Sequence, residues 1–170
     1  MKNNIDGFSL VELLIVVAII GILAAIAIPN LLASRQSANE GSAVSSVRLL
    51  YGAQRVYATS FGSGEYAGSI GAGTTSALNE LGAATLIDPV VASASKSGYN
   101  FVGGRSVSTV TEPATFFFSA NPISPSGVIR TGSRRYGVAT DGILRVDATE
   151  ANLATPFDAM TVLAAPPLGN

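Results

Sequence analysis

The sequence predicts an α+β protein: one long N-terminal helix followed by a small antiparallel sheet of three to four strands. Three observations carry that reading. From Leu13 through Leu32 no side chain is ionisable. Beyond that run, apolar residues recur every three to four positions up to about residue 60, the spacing of one helix face. Further on come short aromatic and β-branched runs, the last two separated by Asp141-Gly142. With 170 residues the chain is long enough for one domain and an anchor.

The first element is the apolar run. Its 20 residues, Leu13 to Leu32, span roughly 30 Å as a helix at ~1.5 Å per residue, the hydrocarbon thickness of a bilayer. One carboxylate, Glu12, stands at its edge. A charge in lipid costs ~2.5 kcal/mol or more near the bilayer centre and less near the interface. Glu12 therefore either snorkels to the headgroups or has a partner.

Three readings compete for residues 1–34. Lys2, the apolar core and Ala25-Ile26-Ala27 fit a cleaved secretory signal. The same run fits a signal anchor that stays in the membrane. The third reading is a short polar leader cut between Gly7 and Phe8, ahead of the run. Charge placement favours the third. The start is nearly balanced, Lys2 and the terminal amine against Asp6, and an acid follows at the apolar boundary. The run also exceeds the roughly 7–15 residues of a signal core.

The string from Gly7 to Asn30, GFSLVELLIVVAIIGILAAIAIPN, resembles the N-terminus of type IV pilins and type II secretion pseudopilins. The resemblance covers residues 1 to about 60. It implies a pilin fold. It implies that residues 1–7 are a prepilin leader, that Gly7 is its last residue, and that Phe8 becomes the N-methylated first residue. It implies that Glu12 pairs with the N-terminal amine of a neighbouring subunit during fibre assembly. Gly21 and Pro29 match positions around which the family's helix partly melts in assembled pili. From the residues alone Pro29 reads equally as a simple kink.

Physical chemistry supports the pairing independently. Removal of Gly7 leaves an ammonium on Phe8 within one helical turn of Glu12. The macrodipole favours an acid at that end of the helix. In a packed bundle the amine of one chain neutralises the acid of the next, which offsets desolvation and sets the register between chains.

The helix is expected to run from Phe8 to Ser60. Residues 8–34 form its membrane and assembly half, and 35–60 its amphipathic half. Ala43, Val44, Val47, Leu50, Tyr51, Tyr57 and Ala58 form the apolar stripe. Gln54 interrupts it, and Arg35, Glu40, Arg48 and Arg55 read as off the stripe. Tyr51, Tyr57 and Phe61 read as core. Residues 61–170 form the globular sheet domain. It opens on a loop, Gly62-Ser63-Gly64 through Gly71-Ala72-Gly73. Short helical turns are expected at 76–81, closed by Gly82, and from Asp88-Pro89, with Asp as N-cap. Strands follow at 99–102, 114–120, 136–140 and 143–146. Asp141-Gly142 reads as a two-residue type I′ turn. Residues 121–133 are a long connection, and the tail from Asn152 reads as irregular.

Composition excludes several functions. The chain has no Cys and no His, so disulfides, thiolate chemistry, imidazole metal ligands and a Ser-His-Asp triad are all impossible in it. An exported hydrolase is disfavoured for the same reason. A net charge of −1 gives no clear nucleic-acid site. Asp141, Asp147, Glu150 and Asp158 carry oxygen ligands of the kind calcium takes, but they follow no EF-hand pattern. Arg130, Arg134 and Arg135 form a small basic group in or beside a loop. Phosphate-loop and dinucleotide signatures are absent, and Gly103-Gly104 lacks their context. No cofactor and no metal is expected, and no enzymatic activity.

The expected role is therefore structural: a type IV pilin. By the resemblance, its partners are identical or related subunits in a helical fibre, the prepilin peptidase and methyltransferase, inner-membrane assembly machinery, and lipid before assembly. The precursor is expected in the bacterial inner membrane with its leader in the cytoplasm, and the product in an extracellular pilus. The alternatives are a type II secretion pseudopilin and, from another class, a membrane-anchored monomeric binding domain.

Overall fold

The computed structural model describes residues 8–71 and 73–169. The chain divides into two compact units, Met1–Arg35 and Gln36–Asn170. Helix α1, Leu10–Ser60, contributes to both. The second unit adds α2 (Ser76–Ala83), α3 (Pro89–Ala92), strands β1 (Ser95–Lys96), β2 (Tyr99–Ser106), β3 (Thr115–Pro122), β4 (Arg135–Ala139) and β5 (Leu144–Asp147), a 3₁₀ turn (Glu150–Asn152) and α4 (Ala159–Ala164).

The strands form one antiparallel meander in the order β1-β2-β3-β4-β5. The fifth strand beyond the expected four is β1, two residues paired with Tyr99 and Asn100. A strand that short has no alternation to read. In β3 the register sets Phe118 opposite Val138 and Phe117 opposite Ala139. Successive side chains point to opposite faces. Phe116, Phe118 and Ala120 therefore join the core with Phe101, Tyr136 and Val138, while Phe117 packs on the other face with Ala139, Phe157 and Val162.

The larger core closes under residues 40–58 of α1. Glu40, Ala43, Val47, Leu50 and Gln54 are buried at alternating spacings of three and four. Glu40 is thus on the stripe, not off it, because its carboxylate finds donors there. Gln54 does not interrupt the stripe either. It is fully buried, and its carboxamide pairs in both senses with one backbone unit: Nε2 donates to the Ala67 carbonyl at 2.8 Å and Oε1 accepts from the Ala67 amide at 3.0 Å. This pair ties the Gly-rich loop after α1 back onto the helix. The same loop satisfies an open edge of β2, where Thr74 and Gly103 exchange two hydrogen bonds of 2.8 Å.

Three local expectations are corrected. Helix α2 continues past Gly82 to Ala83, because Gly82 packs against α3 where any Cβ would sit 2.8 Å from that of Ala92. The β4–β5 reversal contains Asp141 and Gly142 but is not a two-residue type I′ turn. The register pairs Val138 with Leu144, and the Gly142 amide donates to the Ala139 carbonyl at 2.9 Å. Only Gly142 has positive φ there, +76°. Type I′ needs positive φ at both central residues, and Asp141 does not adopt it; the reversal is a type I turn closed by a left-handed glycine. Finally, the tail is not irregular throughout. Asp158 caps α4, accepting from the amides of Met160 and Thr161 at 3.0 and 2.8 Å, and the Thr161 hydroxyl accepts from the Asp158 amide at 2.9 Å. The helix forms because the outer face around Phe117 must be covered, and Phe157 and Val162 cover it. At the other predicted turn, Asp88 caps α3 as its Asp-Pro signature indicates, accepting from Val90 and Val91.

Gln54→Ala would leave the Ala67 amide and carbonyl buried without partners, a loss of about 1–3 kcal/mol. Thermal unfolding of the full chain in detergent should show a lowered midpoint for this variant, and an unchanged midpoint would refute the role given to Gln54.

Candidate functional site

Helix α1 starts with a side-chain cap. Ser9 is the N-cap: its Oγ accepts from the Val11 amide at 3.3 Å, and its own amide donates to Glu12 Oε2 at 2.9 Å. Glu12 thus serves the Ser9 amide and Ser9 serves the Val11 amide, two groups at the helix end that would otherwise lack partners. The other oxygen, Glu12 Oε1, takes no hydrogen bond among the described residues. The signal was in the sequence as Ser9-x-x-Glu12 directly before an apolar run, and the charge argument on Glu12 alone passes over it. Phe8, just outside the cap, is 86% exposed. Gly7 lies outside the described residues.

Within the first unit the helix is apolar all round. Its span is long and apolar enough to cross a membrane, and none of that window is buried within the protein. A helix of this kind is stable only among lipid or other apolar chains. The helix continues through Gly21 and Pro29. Pro29 has no amide to offer the Ala25 carbonyl. One turn on, side chains supply extra bonds: Asn30 Nδ2 donates to the Ile26 carbonyl at 3.1 Å and Ser34 Oγ to the Asn30 carbonyl at 2.9 Å. Gly21 has open space where a side chain would project.

The second unit holds its part of α1 with a clamp around Glu40. The carboxylate is buried and accepts from the Ser133 amide (2.8 Å), the Ser133 hydroxyl (2.9 Å), Arg134 Nε (2.9 Å) and Nη2 (2.6 Å), and the Tyr136 hydroxyl (3.1 Å). Tyr99 extends the network through its hydroxyl, which donates to the Arg134 carbonyl at 2.8 Å. Burial pushes the Glu40 carboxyl up, but the bonds from Ser133 and Arg134 outweigh it and hold the pKa below the ordinary value. The same clamp, with burial the first cause, pushes the phenols of Tyr99 and Tyr136 up.

The three arginines read as one basic group are dispersed. Arg130 donates to Gln36 at 3.1 Å, Arg134 serves Glu40, and Arg135 pairs with Asp147 at 2.7 Å while lying 4.0 Å over the Phe157 ring. Three of the four acidic residues near the C-terminus are occupied too. Asp141 pairs with Arg145 at 2.6 Å, Asp158 caps α4, and Asp147 accepts from Arg135, Thr149 and Asn152. Burial raises the Asp147 carboxyl, yet these donors hold it well below the usual range.

Residues 2–28 match the family described as the prokaryotic N-terminal methylation motif, a segment that includes Gly7, Phe8 and Glu12. The chain is 66% identical over 38 residues to the type IV wide pilus major component PilA4 of Thermus thermophilus, covering 22% of this chain and 29% of that protein. It is 51% identical over 51 residues to the type IV major pilin protein PilA of Myxococcus xanthus, covering 30% and 23% respectively. To the type II secretion system core protein G of Escherichia coli it is 32% identical over 93 residues, 55% of this chain and 59% of that one. The chain thus spans less than a third of the length of the first two relatives. No solved structure matches significantly. The N-terminal segment is thus similar to those of type IV pilins and type II secretion core proteins, as the resemblance implies.

Glu40 and Asp147 hold protons less readily folded than unfolded. Their stabilisation is fully present above ordinary carboxylate pKa values of about 4 and is lost as pH falls through the lowered ones. The thermal midpoint of the full chain in detergent should therefore hold from pH 7 to 5 and drop below about pH 4. Glu40→Gln should lower the neutral midpoint and flatten the acid drop, and a midpoint that rises on acidification would contradict the clamp.

Proposed function

We propose that this chain is a prepilin whose mature form is a structural, non-catalytic subunit of a type IV pilus. A separate peptidase cuts after Gly7 and methylates the new amine of Phe8. The subunit waits as a single-pass protein of the bacterial inner membrane with its leader in the cytoplasm. Assembly machinery in that membrane then passes it into an extracellular fibre of identical or related subunits. There the helices of other subunits replace lipid around residues 8–34. Association of this kind is heterologous and open-ended.

The observation that carries the reading is the capped, uncovered start of α1. Among the described residues, an apolar helix with no cover of its own begins on an acid with one oxygen committed to Ser9 and the other taking no hydrogen bond. The methylation-motif match spans residues 2–28, and a cut after Gly7 leaves Phe8 four residues before that acid. The Phe8 ammonium of a neighbouring subunit is the donor that cleavage creates. A salt bridge surrounded by apolar helices is strong enough to dictate register and too costly to leave half-made. Gly21, without a side chain, and Pro29, without an amide, are the points where the helix yields during the transfer.

A second reading, a pseudopilin of a type II secretion system, is favoured by one observation. The match to core protein G reaches over 55% of the chain, well beyond the N-terminal segment shared with the pilins. Both readings use the same helix and the same acid.

Glu12→Gln keeps the size of the side chain and removes its charge. It should leave membrane insertion intact while surface fibres fall at least tenfold by electron microscopy of sheared material. Normal fibres from this variant would sink the pairing.

A further inference from the structure

The β3–β4 connection, residues 123–134, is tied at its base. The Thr131 amide donates to the Ser124 carbonyl at 2.8 Å, and the Ser124 amide donates to Thr131 Oγ1 at 3.1 Å. Asn39 Nδ2 binds the Thr131 carbonyl at 3.1 Å, and Arg130 binds Gln36. The tip so held is not polar. Val128 is 82% exposed and Ile129 76%. Both are β-branched, with little side-chain freedom to lose on docking.

At the other end of the same two strands a groove of about 260 Å³ opens between α4 and the sheet. Phe116, Phe117, Ala139, Ala159 and Leu163 line it. Its polar neighbours are all engaged. Thr115 bonds Ser106 at 2.7 Å, Thr140 bonds both the amide and the carbonyl of Phe116, and Asp141 is held by Arg145. Nothing polar is left to recognise a hydrophilic ligand. The volume is below the ~300 Å³ at which small-molecule pockets begin and far above the ~30 Å³ of one water. What remains is a seat for one or two aliphatic side chains.

The two features cannot meet within one molecule. Residue 130 is bound at Gln36, whereas Gly142, beside the groove, packs against Tyr51. Fifteen residues of helix separate those anchor points, roughly 22 Å at ~1.5 Å per residue. A projecting surface at one end and a receptive one at the other define a head-to-tail contact, which propagates rather than closes.

We propose that Val128 and Ile129 of one copy seat in the α4 groove of a second copy of this chain, a contact between globular units along the fibre. This rests on the fibre reading above and adds to it a contact that the N-terminal helix does not make.

The chain has no cysteine, so engineered pairs report cleanly. The test uses the full chain, processed in cells, with Ile129→Cys and Leu163→Cys combined. Disulfides form only when the two Cα atoms lie within about 7 Å. Oxidised fibres should give a ladder of trimers and larger multimers that collapses on reduction, and each single variant should give monomers. Fibres that stay monomeric after oxidation overturn the docking and leave the fibre reading standing. Absence of fibres from the unmodified chain overturns both. Should the double variant assemble poorly, Ile129→Asp decides. It should leave subunit unfolding unchanged and lower the fibre's disassembly temperature, and wild-type disassembly would overturn the proposal.

Discussion

Fifteen large apolar side chains between Phe8 and Leu31 stand uncovered among the described residues, and the rest of the molecule is organised around that fact. Each is at least 46% exposed. At ~25 cal/mol per Å² their removal from water is worth of order 10 kcal/mol or more, comparable to the ~5–15 kcal/mol net stability of an ordinary domain. A surface of that size needs lipid or other apolar chains around it. Apart from the amide missing at Pro29, the backbone hydrogen bonds of this stretch are internal, and its first turn is capped by Ser9 and Glu12.

The second unit makes the opposite arrangement with the same helix. Its stretch of α1 buries small and branched residues, and two of its buried polar side chains, Glu40 and Gln54, are hydrogen-bonded across to the rest of the unit. Glu40 gathers five hydrogen bonds and Gln54 closes on one peptide unit. Buried polar groups with all partners in place specify one docking geometry, since any shift leaves a charge or an amide unmet. The sheet then serves as a platform with both faces occupied, one by α1 and one by α4 and the tail.

What was legible in the sequence follows from range. The apolar run, the 3–4 spacing and the strand alternation are local repeats, so α1 and the positions of the four longer strands are legible in them, although β2 runs past the expected end at 102 through Gly103 and Gly104 to Ser106. Asp88-Pro89 read directly as a cap for the same reason. Glu40 and Gln54 were misread because their partners, Ser133 to Tyr136 and Ala67, lie 13 to 96 residues away, and a polar residue on a stripe looks like an interruption until its partner is seen. The β4–β5 turn was placed correctly but mistyped, since Asp-Gly serves both a type I′ turn and a type I turn closed by glycine. Helix α4 is too short for periodicity, and its Asp158-x-x-Thr161 cap was its only local sign. The Ser9–Glu12 cap has a local signature as well, Ser9-x-x-Glu12 before an apolar run.

The account turns on the amine that cleavage after Gly7 would create four residues before Glu12. Intact-mass and N-terminal fragment analysis of subunits in sheared surface fibres tests this most directly. The account predicts a mature chain beginning at Phe8 and carrying one methyl group on its α-amine. A chain beginning near Ile28, or a soluble monomer with no fibres, would contradict it.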